Sequence, residues 1–225
     1  MKNILHRGSE LTESQIQENY EYFLEFLELN FKGERLEKLK VMYNEDNLGV
    51  TLATAPASSK NYFHNAYPGG YIQHVINVAN ASIGVQRLYS LLHGTIDYTD
   101  EERVFAALHH DLGKLGDETG PYYVPNDSEW HVKNRGETYK FNPKNQFWRV
   151  ADRSLYNLQR YGIVATWKET MAIRLADGLY DESAAMYLKN YDPDKAIKTG
   201  LPRVIHVADY LACGAEGDAF KAGLV

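Results

Sequence analysis

The run Ala106-Ala107-Leu108-His109-His110-Asp111-Leu112-Gly113-Lys114 constrains this chain more than any other. It sets a histidine and a carboxylate side by side at the end of an apolar segment, then stops at Gly-Lys. Such a pair is costly to bury unless something neutralises it, and a divalent cation is the most economical partner. Upstream, Thr99 and Glu102 have the spacing of a capping box. Val104, Phe105, Ala107, Leu108 and Leu112 then supply one apolar face, which predicts a helix ended by Gly113. His110 and Asp111 fall in its last turn, about 100° apart around the axis, where both reach an ion placed beyond the helix shoulder.

Two further polar residues lie on apolar faces. Spacing predicts a long helix from Tyr71 to about Leu92, with Tyr71, Val75, Val78, Ala79 and Ser82 on one side. His74 is three residues after Tyr71 and four before Val78, so it faces the core. A late helix starts near Pro202, a first-turn proline, and Asp209 lies on its apolar side between Ile205 and Ala212. A lone core histidine is commonly just hydrogen-bonded in place. An unpartnered core aspartate costs several kcal/mol or shifts its pKa upward. His74, His110, Asp111 and Asp209 are therefore predicted to meet at one metal. Two imidazoles and two carboxylates suit Mn, Mg, Fe, Co or Ni better than a thiolate-rich zinc site would. The single cysteine, Cys213, excludes an internal disulfide and any multi-cysteine zinc site.

The remainder predicts an all-α, compact helical bundle. At 225 residues and 44% hydrophobic, the chain is long and apolar enough for a sizeable core. Residues 12–31 start with a cap at Thr12 or Ser14, and Ile16, Tyr20, Phe23, Leu24, Leu27 and Phe31 recur at helical spacing. Gly33 breaks the run before a second helix carrying Leu36, Leu39 and Tyr43. Residues 1–50 thus form a helical hairpin, an extension packed on a domain spanning 51–225. Its acidic helices either stiffen the fold or form a homodimer face. Residues 47–70 look like a connector, with Tyr62, Phe63 and Tyr67 packing it down and His64 among them. Residues 116–150 form a long excursion with a β-hairpin around Tyr122–Val124 and Thr138–Phe141. Between residues 131 and 160 seven Lys/Arg face only two acids, so the excursion is either a functional lid or an ordinary solvated loop. Three more helices are predicted over 153–162, 166–177 and 181–190. No apolar run approaches the roughly 18 residues of a membrane span, and the N-terminal stretch lacks a signal peptide's apolar segment. A cytoplasmic protein is the expectation. The net charge of −6 argues against non-specific duplex binding and leaves small anionic substrates open.

Gly69-Gly70-Tyr71-Ile72-Gln73-His74, the His110-Asp111-Leu112-Gly113-Lys114 run and Ala208-Asp209 together resemble the HD-domain superfamily of metal-dependent phosphohydrolases. The likeness covers roughly residues 60–215. Pro56-Ala57, Lys60 and His64 ahead of the Gly-Gly also look like the approach segment of HD-domain 3′–5′ exoribonucleases. The resemblance implies an all-helical fold and hydrolysis of phosphate esters, mostly of nucleotides. Carried over by position, it makes His74, His110, Asp111 and Asp209 metal ligands and places Lys114 on substrate phosphate. His109 becomes a neighbour of the ligands or simply a packed residue. Binuclear members add histidines between the His-Asp pair and the final Asp. Residues 150–153 and 175–178 hold none here, so a mononuclear site is the simpler expectation, with Asp152 and Asp177 as substitute ligands. His131 and His206 are the other histidines to consider.

On this reading an ion-activated water attacks phosphorus, helped by Asp177 or His109. Lys114 and one or more of His64, Lys133, Arg135 and Arg153 hold the phosphate oxygens. The expected partner is a small phosphorylated substrate, a nucleotide by analogy, with no membrane involved and nucleic acid less favoured. The rival readings are a 3′–5′ exonuclease, a cyclic-nucleotide phosphodiesterase, or a non-catalytic module that senses nucleotides through its metal.

Overall fold

In the computed structural model, which describes residues 5–224, the chain is all-α apart from one two-stranded ribbon. Helix α1 (Glu13–Asn30) begins at a Thr12–Gln15 capping box, and α2 (Gly33–Met42) follows after Gly33 turns with a positive φ. Phe23, Leu27, Phe31, Leu39, Met42 and Tyr43 are buried in the same continuous core as the helices that follow. The hairpin is therefore part of that core, with its apolar faces turned inward and its acids outward. A short helix α3 (Gly49–Thr54) comes next, where sequence spacing suggested only connector. Leu52 is fully buried there and supplies the reason for the turn.

The central helix is α4 (Gly70–Leu91). Gly69 precedes it at φ 81, a left-handed value that a side chain would resist. A Cβ on Gly70 would collide with the carbonyl of Asn65. The Gly-Gly pair thus lets the 55–69 loop fold tightly back onto the start of α4. Helix α5 (Asp100–His109) starts at the Thr99–Glu102 capping box. It ends earlier than Gly113: His110 caps it with helical dihedrals, the chain leaves α geometry at Asp111, and residues 112–115 form a 3-10 turn that carries Lys114.

The excursion is more ordered than its glycines and prolines suggested. Strands β1 (Tyr123–Pro125) and β2 (Tyr139–Phe141) pair antiparallel, Val124 opposite Lys140, with helix α6 (Glu129–Arg135) inserted between them behind a Ser128 cap. Backbone bonds from Asn61 to Gly136 and from Tyr139 to Ser59 pin this unit to the 55–69 loop. Then come α7 (Val150–Arg160), α8 (Trp167–Arg174), α9 (Glu182–Leu188) and α10 (Leu201–Lys221). Helices α4 and α10 pack along each other, and Val75, Val78, Val204, Ile205 and Ala208 are buried in their shared core. Among the described residues no helix is long and apolar enough to cross a membrane.

Candidate metal centre

The central part of the site comes from three places. α4 supplies His74, the end of α5 supplies His110 and Asp111, and α10 supplies Asp209. His74 Nε2 lies 3.5 Å from Asp111 Oδ2 and 3.3 Å from Asp209 Oδ1. His110 Nε2 lies 3.5 Å from each of the same two atoms. Spacings of this size are those of ligand atoms around one cation at about 2.0–2.2 Å. His74, His110 and Asp111 are buried, and the Asp209 side chain is 18% exposed. The four residues separated in sequence are thus brought to one point, and the buried His74–His110–Asp111 cluster could hold a metal ion.

Tautomers follow from the outer partners. His110 Nδ1 lies 2.8 Å from the Ala107 carbonyl, an acceptor only, so Nδ1 carries a proton and Nε2 is the nitrogen turned to the carboxylates. His74 Nδ1 lies 3.0 Å from Glu216 Oε2, and Asn77 donates to the other Glu216 oxygen at 2.7 Å. This carboxylate–imidazole arrangement orients a ligating histidine and raises its basicity. Both Nε2 atoms are buried with no hydrogen-bond partner. Buried polar atoms are ordinarily paired, and two imidazole nitrogens converging on two carboxylates are what a cation, taking the place of their protons, would satisfy. The donor set fits a divalent ion.

Charge around the cluster is strongly coupled. Burial would raise the Asp111 carboxyl, but the Lys114 ammonium, His110 and His74 hold it far below the usual carboxylate range. Asp209 is likewise held low against burial by the adjacent His110 and His74 imidazoles. Burial works against protonating His74, yet Glu216, Asp111 and Asp209 outweigh it and raise its pKa well above normal. Lys114 Nζ sits 2.6 Å from Asp111 Oδ2 and donates to the Ala57 carbonyl at 2.7 Å.

A pocket of about 510 Å³ opens over the cluster, lined by His64, Asp111, Lys114, Asp177, His206 and Asp209 among others. Asp177 opens onto it, and crowding by protein, then the charges of Asp111 and Asp209, push its carboxyl upward. His206 donates from Nδ1 to the Ala176 carbonyl at 2.9 Å, which leaves Nε2 as its acceptor. Its ring packs so closely on Gly178 that no Cβ would fit there.

Several expected site residues sit elsewhere. His109 is fully buried in the core, its Nδ1 bonded to the Phe105 carbonyl and its ring against Phe105 and Tyr43. Burial lowers its pKa to about 3, so it stays neutral. It is not among the residues that line the pocket. His109 points about 100° around the axis from His110, and on that side its ring meets Phe105 and Tyr43 instead of the ligands. Arg153 is also fully buried, paired with Asp117 at 3.0 Å and bonded to the Gln146 carbonyl. It braces the excursion and does not line the pocket. Lys133 and Arg135 lie on α6, beside a separate groove that they share with Lys60 and Tyr62. Asp152 pairs with Arg174 and His131 bonds Ser128, both away from the ligands.

Sequence reasoning missed Glu216. It is one of few acids on the small-residue face Ala208–Ala212–Ala215, seven residues after Asp209, and that periodicity was its available signal. Cys213, at the same pocket, gave no signal beyond its position one turn after Asp209. Comparison with family models, with curated proteins and with solved structures finds no match for this chain.

Proposed function

We propose that this chain is an HD-type metal-dependent phosphohydrolase acting on a small phosphorylated substrate, by analogy a nucleotide. The observation that carries this reading is the pair of orphaned, buried imidazole nitrogens facing Asp111 and Asp209 beside Lys114. A divalent ion held by His74, His110, Asp111 and Asp209 would polarise a phosphoryl oxygen and lower the pKa of water next to it.

The chain's own groups supply the rest. Lys114 projects its ammonium at the ligand cluster, where it can pair with a phosphate oxygen and offset the charge that develops in the transition state. Its second bond, to Ala57, fixes that position. Asp177, with its pKa raised, is a stronger base than an ordinary surface carboxylate and stands across the pocket to accept a proton from the attacking water. His206 lines the same pocket, its Nδ1 held by the Ala176 carbonyl. Glu216 keeps His74 in the tautomer that leaves Nε2 free.

The test is phosphate release from a panel of nucleoside mono- and triphosphates, cyclic nucleotides and short single-stranded RNA. Chelator-stripped protein is refilled with Mn, Mg, Co, Ni or Fe and run beside Asp111→Ala. Metal-dependent turnover lost in Asp111→Ala supports the reading, and metal binding without turnover on any substrate replaces it with a sensor. A second reading, an exonuclease, is favoured by one feature: Tyr62 lines both the metal pocket and the groove of Lys60, Lys133 and Arg135. That reading requires RNA turnover that weakens steeply with added salt.

A further inference from the structure

The ligand set described above leaves two donors unused. His64 lies in the loop ahead of α4, its ring 4.7 Å from that of His74. Its Nε2 is buried and has no hydrogen-bond partner. Ser58, itself buried, fixes this stretch of loop by donating to the His64 carbonyl at 2.7 Å. Cys213 follows Asp209 by one turn of α10, with its thiol 3.4 Å from Asp209 Oδ1 and open to the same pocket. One ligand atom from each of His64, His74 and Cys213 falls within 4.8 Å of the others.

The chemistry of this second set differs from that of the first. Asp111 and Asp209 give the hydrolytic set hard oxygen donors, which suit Mn or Mg. Two imidazoles with one thiolate are a softer set, suited to zinc, cobalt or cadmium with one coordination position left open. The unpartnered His64 Nε2 belongs to a residue that lines the same pocket as Cys213.

We propose that His64, His74 and Cys213 form a second, thiophilic metal position beside the hydrolytic one. Because His74 belongs to both sets, an ion there competes with the ion held by His110, Asp111 and Asp209; only this competition rests on the hydrolytic reading. On binding, the Cys213 S–H bond breaks, its proton passes to solvent and the thiolate bonds the metal. A thiophilic cation then acts as an inhibitor that a hard cation at the hydrolytic set resists.

Cobalt titration of the full chain, stripped of metal, tests this through the thiolate-to-cobalt charge-transfer band, which needs no catalytic activity. Wild type should show the band. It should be lost in Cys213→Ser and in His64→Ala, with His64→Gln as a second variant should the alanine form unfold, and circular dichroism confirming each fold. His110→Ala, which touches only the hydrolytic set, should keep it. Cobalt binding without a band overturns the proposal and leaves the hydrolytic reading standing. A band kept in His64→Ala but lost in His110→Ala also overturns it, since Cys213 would then belong to the hydrolytic ion. No cobalt binding at all removes both readings.

Discussion

Glu216→Gln isolates the contribution of the carboxylate behind His74. Glu216 is buried and accepts from His74 Nδ1 at 3.0 Å and from Asn77 at 2.7 Å. Glutamine keeps the shape. Its carbonyl can still accept from His74, and Asn77 can turn its amide to face the new NH2. What is lost is the negative charge that makes His74 a stronger donor. Outer partners of this kind carry about 10–100-fold of metal affinity, or about 1.4–2.7 kcal/mol. Glu216→Ala adds a second loss, because Nδ1 and the Asn77 amide are left buried without an acceptor at about 1–3 kcal/mol. Competition for Mn²⁺ against a fluorescent chelator reads the first effect, and thermal melts of metal-free protein read the second. The glutamine variant should bind metal more weakly and lose from the metal-free melt only the share its charge lends to protonated His74, and the alanine variant should lose more on both. A glutamine variant with wild-type metal affinity would falsify the assignment of Glu216 as the partner that tunes His74.

The other expectations follow from the same geometry. Lys114→Ala should lower turnover by about 10²–10³-fold while metal content, read by mass spectrometry, holds; equal loss of metal would show that Lys114 is only structural. Arg153→Met should cost about 3–5 kcal/mol in a denaturant melt, because the Asp117 carboxylate, 5% exposed, loses its partner; a raised KM with intact stability would instead return Arg153 to the substrate. His109→Leu should leave metal content and turnover unchanged, and a loss of metal would contradict its core position. In metal-free protein the raised pKa of His74 contributes stability that is complete below about 6.5 and is lost as pH rises through its folded value. Asp111 and Asp209, held low, contribute above about 3.9 and lose that contribution only in acid. Melts across neutral to alkaline pH should therefore fall in chelator and hold with metal, and parallel curves would refute the coupling.

Much of the candidate site was legible because its residues break local rules. His74 and Asp209 each put a polar group on an apolar helical face, and His110-Asp111 does so where an apolar helix ends; such conflicts concentrate at functional positions. The capping residues Thr12 and Thr99 marked helix starts for an equally local reason, since their side chains satisfy backbone donors a few residues away. The exit of α5 was harder. Gly113 looked like its stop, yet the helix ends at His109 and residues 112–115 tighten into a 3-10 turn against α7, where Ser154 receives the Gly113 amide. Nothing near Gly113 in sequence announces Ser154. Helices α3 and α6 were hidden by surrounding turn residues, and burial of Leu52 is decided by partners far along the chain. Lys133, Arg135 and Arg153 share a basic stretch but separate in space, one to a buried bridge and two to an outer groove. Charge counted along a sequence does not tell which way each side chain turns.

The position of α10 in the chain also sets a schedule for synthesis. His74, His110 and Asp111 leave the ribosome first, and α10 brings Asp209, Cys213 and Glu216 only later. At about 5–20 residues per second, the interval between His74 and Asp209 is on the order of ten seconds. During it the emerging chain holds an incomplete ligand set and lacks the Glu216 carboxylate that orients His74. A cation captured then would be held by only part of the set and would exchange. Any metal this site takes would therefore be selected once α10 docks along α4, from the pool present at that moment and not from the one met by the nascent chain.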